Sequence, residues 1–300
     1  MIIDQPGKVT ETIFMLGKQE SCVYLLDGGD ACTILGGGLA GIIPDIEAQL
    51  AAMAMDPQRI QNLVILHSHF DHCGIVPYFK NKWPWVEVVA SERARTILSN
   101  PKAVASIEAF NIRHLEETLP HVHPQDLCIE GFNIDVDRVV GEGDKLACGN
   151  LNLQALETPG HSTCSLSFYL PAEKALFASD AVGIPMGDKV FTAANSNFDQ
   201  YEDSLEKMFA LNPEIILSEH QGARTGEDCI RFMPACRQAA REMRDMVEQS
   251  FARTGDIQKS TDEITDIFTA AAPEGVLSPW VVKLVVSSMV YQTSRRVSKV

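Results

Sequence analysis

The stretch that most restricts what this chain can fold into is His67-Ser68-His69-Phe70-Asp71-His72, an H-x-H-x-D-H pattern. Four of its six residues can ligate a metal, since imidazole nitrogen and carboxylate oxygen are the usual donors. The apolar run Ile60-Gln61-Asn62-Leu63-Val64-Ile65-Leu66 precedes it at strand length, and Gly74 to Lys80 reads as the start of a helix. The pattern therefore lies on a loop at the end of a buried strand. A rigid strand aims such a loop, and layered α/β folds carry their binding groups there. Three of the eight histidines fall in these six residues. His114, His121 and His123 read as ordinary core or surface histidines, with Pro124 marking an exposed turn.

Three later segments repeat the arrangement of a strand delivering a polar ligand. Residues 151–157 lead into Thr158-Pro159-Gly160-His161-Ser162, and Ala175 to Phe177 lead into Ala178-Ser179-Asp180-Ala181. Glu214 to Leu217 lead into Ser218-Glu219-His220-Gln221-Gly222. Further strands are expected at 9–16, 22–27, 31–35, 86–90, 138–141 and 166–170, with a hairpin turn at Asp27-Gly28-Gly29-Asp30. Helices are expected at 44–55, from an N-cap at Ser91 to Leu98, and from Pro101 to about Thr118.

Taken in order, the four blocks resemble the signature of the metallo-β-lactamase-fold hydrolases, over residues 8–225. The resemblance implies an αββα sandwich, an α/β fold in which two sheets are enclosed by helices. It implies that His67, His69 and His161 hold one divalent metal, that Asp71, His72 and His220 hold a second, and that Asp180 bridges them. Two such ions, about 3.5–4 Å apart in sites of this kind, clamp a water and lower its pKa towards neutrality. A bridging hydroxide would then attack a carbonyl, with Asp71 and Asp180 as the catalytic carboxylates. The donor types suit zinc or iron, and manganese is compatible. Asp71-His72-Cys73-Gly74 with Pro77-Tyr78, and Ala90-Ser91-Glu92-Arg93, are most similar to the quinolone-signal-response thioesterase branch, whose members are di-iron proteins with a helical C-terminus. Residues 168–183 are also similar to flavodiiron proteins, but those carry Glu where this chain has His69, and a flavin domain besides. Two departures from the family stand out. No aspartate occurs in the first loop, and Glu219 replaces the glycine that usually precedes the last histidine, so it either approaches the metals or faces solvent.

Gly36-Gly37-Gly38-Leu39-Ala40-Gly41 matches G-x-G-x-x-G after a strand, but the next strand leads into the metal loop and ends on no acidic residue. A backbone wall beside the metal cleft is the better reading than a dinucleotide site. From residue 226 onward the pattern changes. Cys229, Phe232, Cys236, Ala240, Met243, Val247 and Phe251 recur at three and four, with Gly255 as a stop. Ser260-Thr261-Asp262-Glu263 reads as a capping box, and Ser278-Pro279 starts a third helix running to about Arg295. Two units are expected: a catalytic domain over 1–225 and a helical extension over 226–300, acting as cap or dimer surface. An apolar helix face must cover the cleft, pair with another subunit, or both, and a homodimer is expected.

The net charge of −15 argues against phosphate backbones as partners, so no nucleic acid is expected. No run reaches the length of a membrane span, and Met1 to Pro6 lack a basic region and signal core, so a cytoplasmic protein is expected. The eight cysteines form no C-x-x-C pair and read as reduced thiols, with Cys73 and Cys164 either packing behind the site or lining the cleft. The expected function is hydrolysis of a small thioester, ester or lactone. The alternatives are a di-iron redox enzyme, a phosphodiesterase, or a regulatory protein with incidental hydrolase activity.

Overall fold

In a computed structural model of the chain, residues 1–186, 189–271 and 278–297 are described. Two seven-stranded sheets pack face to face. The first is built from Gly7–Lys8, Ile13–Gly17, Cys22–Asp27, Cys32–Leu35, Ile60–Val64, Glu87–Ala90 and Arg138–Val139, in spatial order as in sequence. It begins antiparallel and turns parallel from Cys32–Leu35 onward. The second runs Ile2–Ile3, Ala223–Thr225, Ile215–Leu217, Ala175–Phe177, Leu166–Leu170, Leu151–Glu157, Lys145–Cys148. Only Ala175–Phe177 and Ile215–Leu217 pair in parallel there. A two-stranded antiparallel sheet, Ile184–Met186 with Lys189–Phe191, stands apart.

Among the described residues, eight helices cover the outer faces: α1 (Ile43–Ala52), α2 (Val76–Lys82), α3 (Glu92–Leu98), α4 (Pro101–Thr118), α5 (Phe198–Phe209), α6 (Gly226–Thr254), α7 (Ile257–Ala271) and α8 (Pro279–Val297). Three apolar layers result. Leu25, Ile34, Leu63 and Val88 on the first sheet pack against Ile46, Phe79, Ala94 and Leu115 on its helices. Met15, Tyr24, Val64, Phe168 and Phe177 fill the space between the sheets. Leu176 and Ile216 pack against Leu205, Phe232, Met243 and Val286 on the far side. Alternating side chains of one strand serve two layers, as in Leu63 and Val64, because successive residues of a strand face opposite ways. The architecture is the expected αββα sandwich with a helical C-terminal region.

Several local expectations hold. Ser91 Oγ accepts the Ala94 N–H at 3.0 Å, and Asn100 caps the helix that opens at Pro101. Gly255 takes the left-handed conformation, φ +63°, that ends α6, and its N–H bonds the Phe251 carbonyl. Others are corrected. The strand expected over 9–16 forms only from Ile13, because the N–H groups of Val9 and Thr10 both close onto the Ile13 carbonyl as a turn. The capping box at Ser260 is not one. Asp256 Oδ1 accepts the Lys259 N–H at 2.9 Å, so α7 begins earlier and Ser260 lies inside it. The face predicted on α6 is buried from Cys229 to Val247, within the chain itself. α8 reaches both outer layers: Val286 and Met289 pack with α6, whereas Trp280 and Val281 pack against the first sheet's helices.

Candidate metal centre

Each block lies where a strand gives out. After Ile60–Val64 the chain stays buried through Ile65 and Leu66, then turns at Phe70–His72 in a single 3-10 turn. The ligand turns after Leu151–Glu157, Ala175–Phe177 and Ile215–Leu217 open on the same rim, because these three strands run in one direction. Gly160 is required before His161. Its φ is +128°, and a Cβ there would lie 2.3 Å from the Tyr201 backbone nitrogen. Its carbonyl also accepts the Ser196 and Asn197 N–H groups, which sets the start of α5 against the loop.

The structure brings all seven predicted residues together. His67 Nε2, His69 Nδ1 and His161 Nε2 lie 2.9–3.1 Å from one another. Beside them, Asp71 Oδ2 lies 3.5 Å from both His72 Nε2 and His220 Nε2, and those two nitrogens are 3.2 Å apart. Asp180 sits between the triplets. Its Oδ2 is 3.3 Å from His72 Nε2 and 3.6 Å from His161 Nε2, and its Oδ1 is 3.8 Å from His220 Nε2.

The donors are oriented from behind. His161 Nδ1 donates to the Ala193 carbonyl at 2.7 Å, and His220 Nδ1 to the Glu20 carbonyl at 2.6 Å. Each bond puts the ring proton on Nδ1 and leaves Nε2 as a lone pair facing the centre. His67 Nδ1 meets Ser179 Oγ at 3.3 Å, so its Nε2 faces the Nε2 of His161 lone pair to lone pair. Such pairs repel unless a cation sits among them. Asp180 Oδ1 is buried with no hydrogen-bond partner, a second mark of the same requirement. The residues fit two cations, one at each triplet. A third grouping, His67, His72 and Glu219, is a hydrogen-bond hub instead, since the Ser179 hydroxyl occupies its middle.

The titration behaviour follows. Burial, reinforced by neighbouring imidazoles, holds His67 well below the usual histidine range. Burial likewise pushes His69 down to about 3, and lowers His161. His72 goes the other way: burial opposes its charge, but Asp180, Asp71 and Glu219 surround it and raise it well above the usual range. His220 is raised against burial mainly by Asp180. Burial works against the charge of Asp71 and Asp180, yet His72 and its neighbours hold both carboxyls low. The first triplet is a set of neutral donors, and the second is an anionic pocket in which a proton on His72 stands where a cation would.

Glu219, left open by sequence, is fully buried on the far side of His72. Cys73 and Cys164 take the packing role. Cys73 Sγ donates to the His69 carbonyl at 3.1 Å, Cys164 Sγ sits 3.3 Å from Ser68 Oγ, and neither lines the cavity over the metal residues. The glycine run does form a wall beside the centre: Gly74 N–H bonds the Gly38 carbonyl, and Gly37 N–H bonds Glu219. Sequence reasoning missed that cavity's lining. A space of about 250 Å³ opens above His69, Asp71, His161 and Asp180, walled by Ile107 and Phe110 from α4 and by Val281, Leu284 and Val285 from α8. These apolar residues carry no sequence signal that separates them from core.

A family model, the metallo-beta-lactamase superfamily, matches residues 17–220. A hydroxyacylglutathione hydrolase of Bradyrhizobium sp. is 28% identical over 158 residues, covering 53% of this chain and 47% of that protein. A probable metallo-hydrolase of Bacillus subtilis is 26% identical over 68% of this chain and 87% of its own length. The chain spans about half the length of most of the curated relatives it matches first. Among solved structures, a metallo-beta-lactamase family protein of Thermus thermophilus superposes with a TM-score of 0.66 at 17% identity, over 96% of this chain and 95% of that one. The rubredoxin oxygen:oxidoreductase of Desulfovibrio gigas superposes at 0.55 and 17% identity, over 84% and 70%. No helix among the described residues is long and apolar enough to cross a membrane.

Proposed function

The chain belongs to the metallo-beta-lactamase superfamily, and from that premise we propose that it is a dinuclear metal-dependent hydrolase of a small thioester, ester or lactone that carries no charge. The observation that carries this reading is the pair of donor triplets, joined by Asp180, at the floor of an apolar cavity. His67, His69 and His161 would hold one divalent ion, and Asp71, His72 and His220 the other, with Asp180 shared. Such ions, when bound, supply Lewis acidity and an activated water. The chain does the rest. Asp71 and Asp180 bring negative charge to the reacting centre and favour two cations there. The carbonyls of Ala193 and Glu20 hold His161 and His220 in the tautomer that leaves Nε2 free. Ile107, Phe110, Leu284 and Val285 exclude water from the acyl group and orient it.

The lining also bears on the substrate. No Lys or Arg lines this cavity among the described residues. A glutathione thioester carries carboxylates, which need cationic partners when desolvated. The cavity therefore supports a substrate that is neutral and apolar in both its acyl and its leaving group, unlike the glutathione thioester in the name of the relatives matched over part of their length. The test is a panel of aromatic and aliphatic thioesters, lactones, S-lactoylglutathione and bis(p-nitrophenyl) phosphate, with elemental analysis of the purified protein. Two transition-metal ions per chain and preferential turnover of neutral apolar acyl esters are expected. Full activity in stripped protein with chelator present overturns the metal mechanism, preferential turnover of S-lactoylglutathione overturns the substrate class, and oxygen or peroxide reduction by bound iron replaces hydrolysis with redox chemistry.

A further inference from the structure

We propose that Glu219 is a positioning residue that orients the metal-facing imidazoles of both triplets and strengthens them as donors. The proposal rests on the metal reading above, in that it takes the seven residues as ligands.

Glu219 follows the strand Ile215–Leu217 and is 1% exposed. Its Oε2 lies 3.0 Å from His72 Nδ1 and accepts the Ser179 hydroxyl, and its Oε1 accepts the Gly37 N–H at 3.1 Å. Among the described residues, no Lys or Arg forms an ion pair or hydrogen bond with it. Burying a carboxylate costs several kcal/mol unless positive charge or hydrogen bonds offset it. Among the described residues its one ion-pair partner is the imidazole of His72.

The backbone around it is shaped to admit it. Gly36 has φ +102°, and a Cβ there would lie 2.6 Å from Glu219 Oε1. A Cβ on Gly37 would lie 2.2 Å from the His72 carbonyl oxygen. The glycine run that mimics a dinucleotide motif is thus the cradle of one carboxylate and of the His72 backbone. A substitution at either position would push the wall off both.

The acceptors behind the ligands differ in kind. His161 and His220 donate Nδ1–H to neutral carbonyls. His72 faces a carboxylate directly, and His67 reaches the same carboxylate through Ser179, whose oxygen lies 3.3 Å from His67 Nδ1. One of these imidazoles belongs to each triplet. A carboxylate behind an imidazole fixes the tautomer and raises its basicity towards a metal more than a carbonyl does. Glu219 therefore acts on both metal positions from a place that neither metal needs to touch, directly at one and by relay at the other.

The experiment measures metal affinity rather than turnover. Zinc dissociation constants are determined by competition with a chromophoric chelator for wild type, Glu219→Gln and Ser179→Ala, beside the thermal midpoint of each metal-free protein. Glu219→Gln keeps the shape and removes the charge, and should weaken zinc binding about 10- to 100-fold. Ser179→Ala cuts the relay to His67 while Glu219 stays 3.0 Å from His72 Nδ1, and should weaken the His67 ion more than the His72 ion. Wild-type affinity for both ions in Glu219→Gln overturns the proposal. So does a metal-free midpoint that falls in step with affinity, which marks a merely structural role. If Glu219→Gln does not fold, Ser179→Ala decides, and unchanged affinity there overturns it. A wild type that binds no zinc, iron or manganese sinks the metal reading itself, a distinct result.

Discussion

Replacing Asp180 by asparagine tests the centre most directly. The carboxylate is buried, and its oxygens lie 3.3, 3.6 and 3.8 Å from imidazole nitrogens of both triplets. A unit charge about 3.5 Å from another is worth about 5 kcal/mol at an effective dielectric constant near 20. The amide keeps the size and a carbonyl dipole, which recovers part of this, taken here as about half. The remaining loss of about 2.5 kcal/mol corresponds to a fall of roughly 70-fold in rate or in metal retention. The fold should survive. In the metal-free protein Asp180 Oδ1 has no hydrogen-bond partner to lose, and the apolar layers lie behind the rim. The assay sets turnover on the best substrate of the panel, metal content and thermal midpoint of the variant beside wild type. A variant that keeps its metals and turns over normally shows that Asp180 does not join the two triplets. Loss of turnover with every cellular effect retained would favour a regulatory role with incidental hydrolysis.

Other outcomes follow from the same geometry. Leu284→Lys places a cation in the cavity wall and should raise kcat/KM for anionic thioesters relative to neutral ones; an unchanged ratio removes α8 from substrate choice. Trp280 stacks on Phe110 at 5.5 Å, lies under Arg113 and donates to Glu117, so Trp280→Ala should cost about 1–3 kcal/mol in a urea titration. An unchanged midpoint means α8 is not latched to α4 there. In metal-free protein, the lowered His67, His69 and His161 contribute stability that is present above their unfolded value of 6.5 and lost as pH falls below it. The raised His72 and His220 contribute stability present below that value and lost as pH climbs through their folded values, so the thermal midpoint in chelator should decline on both sides of neutrality. A homodimer is proposed from the exposed Ile230, Ile267 and Tyr291 on α6, α7 and α8, and light scattering that returns a mass near 33.0 kDa would refute it.

What was legible in the sequence was whatever local chemistry repeats. Leu151–Glu157 alternates apolar with polar residues and Leu166–Leu170 is apolar but for Ser167, and the ligand turns announce themselves by polar residues at the strand ends. The face of α6 was legible because seven residues at three- and four-residue spacing outweigh Pro234 in its first turns. α5 was equally amphipathic, with Phe198, Tyr201, Leu205, Met208 and Phe209 on one face, but was not anticipated beside the ligand blocks. The pairing of Ile184–Met186 with Lys189–Phe191 was hidden by Pro185 and the short strands. At α7 the capping box read at Ser260 missed the start of the helix, because Asp256, next to Gly255, accepts the Lys259 N–H and caps it instead. The role of Glu219 depended on contacts with Gly37, Ser179 and His72, which lie far from it in sequence.

The cavity and the centre are made by different parts of the chain, and this separates what each can change. The donors sit on short turns whose backbone is held from both sides, as at Gly160 against Tyr201 and at Gly37 against His72, so the donors have little freedom to move. The walls come from α4 and α8, joined across the cleft by ring stacking of Phe70, Phe110 and Trp280 rather than by a sheet. Apolar walls tolerate exchange of one hydrophobic residue for another with modest cost, whereas a buried donor stripped of its partner does not. Substitutions at Ile107, Leu284 or Val285 should therefore alter which acyl group is accepted while metal content holds. Substitutions behind the ligands should alter metal content before they alter preference. A wall variant that loses its metals, or a Glu219 variant that changes selectivity with its metals intact, would show that the two parts are coupled after all.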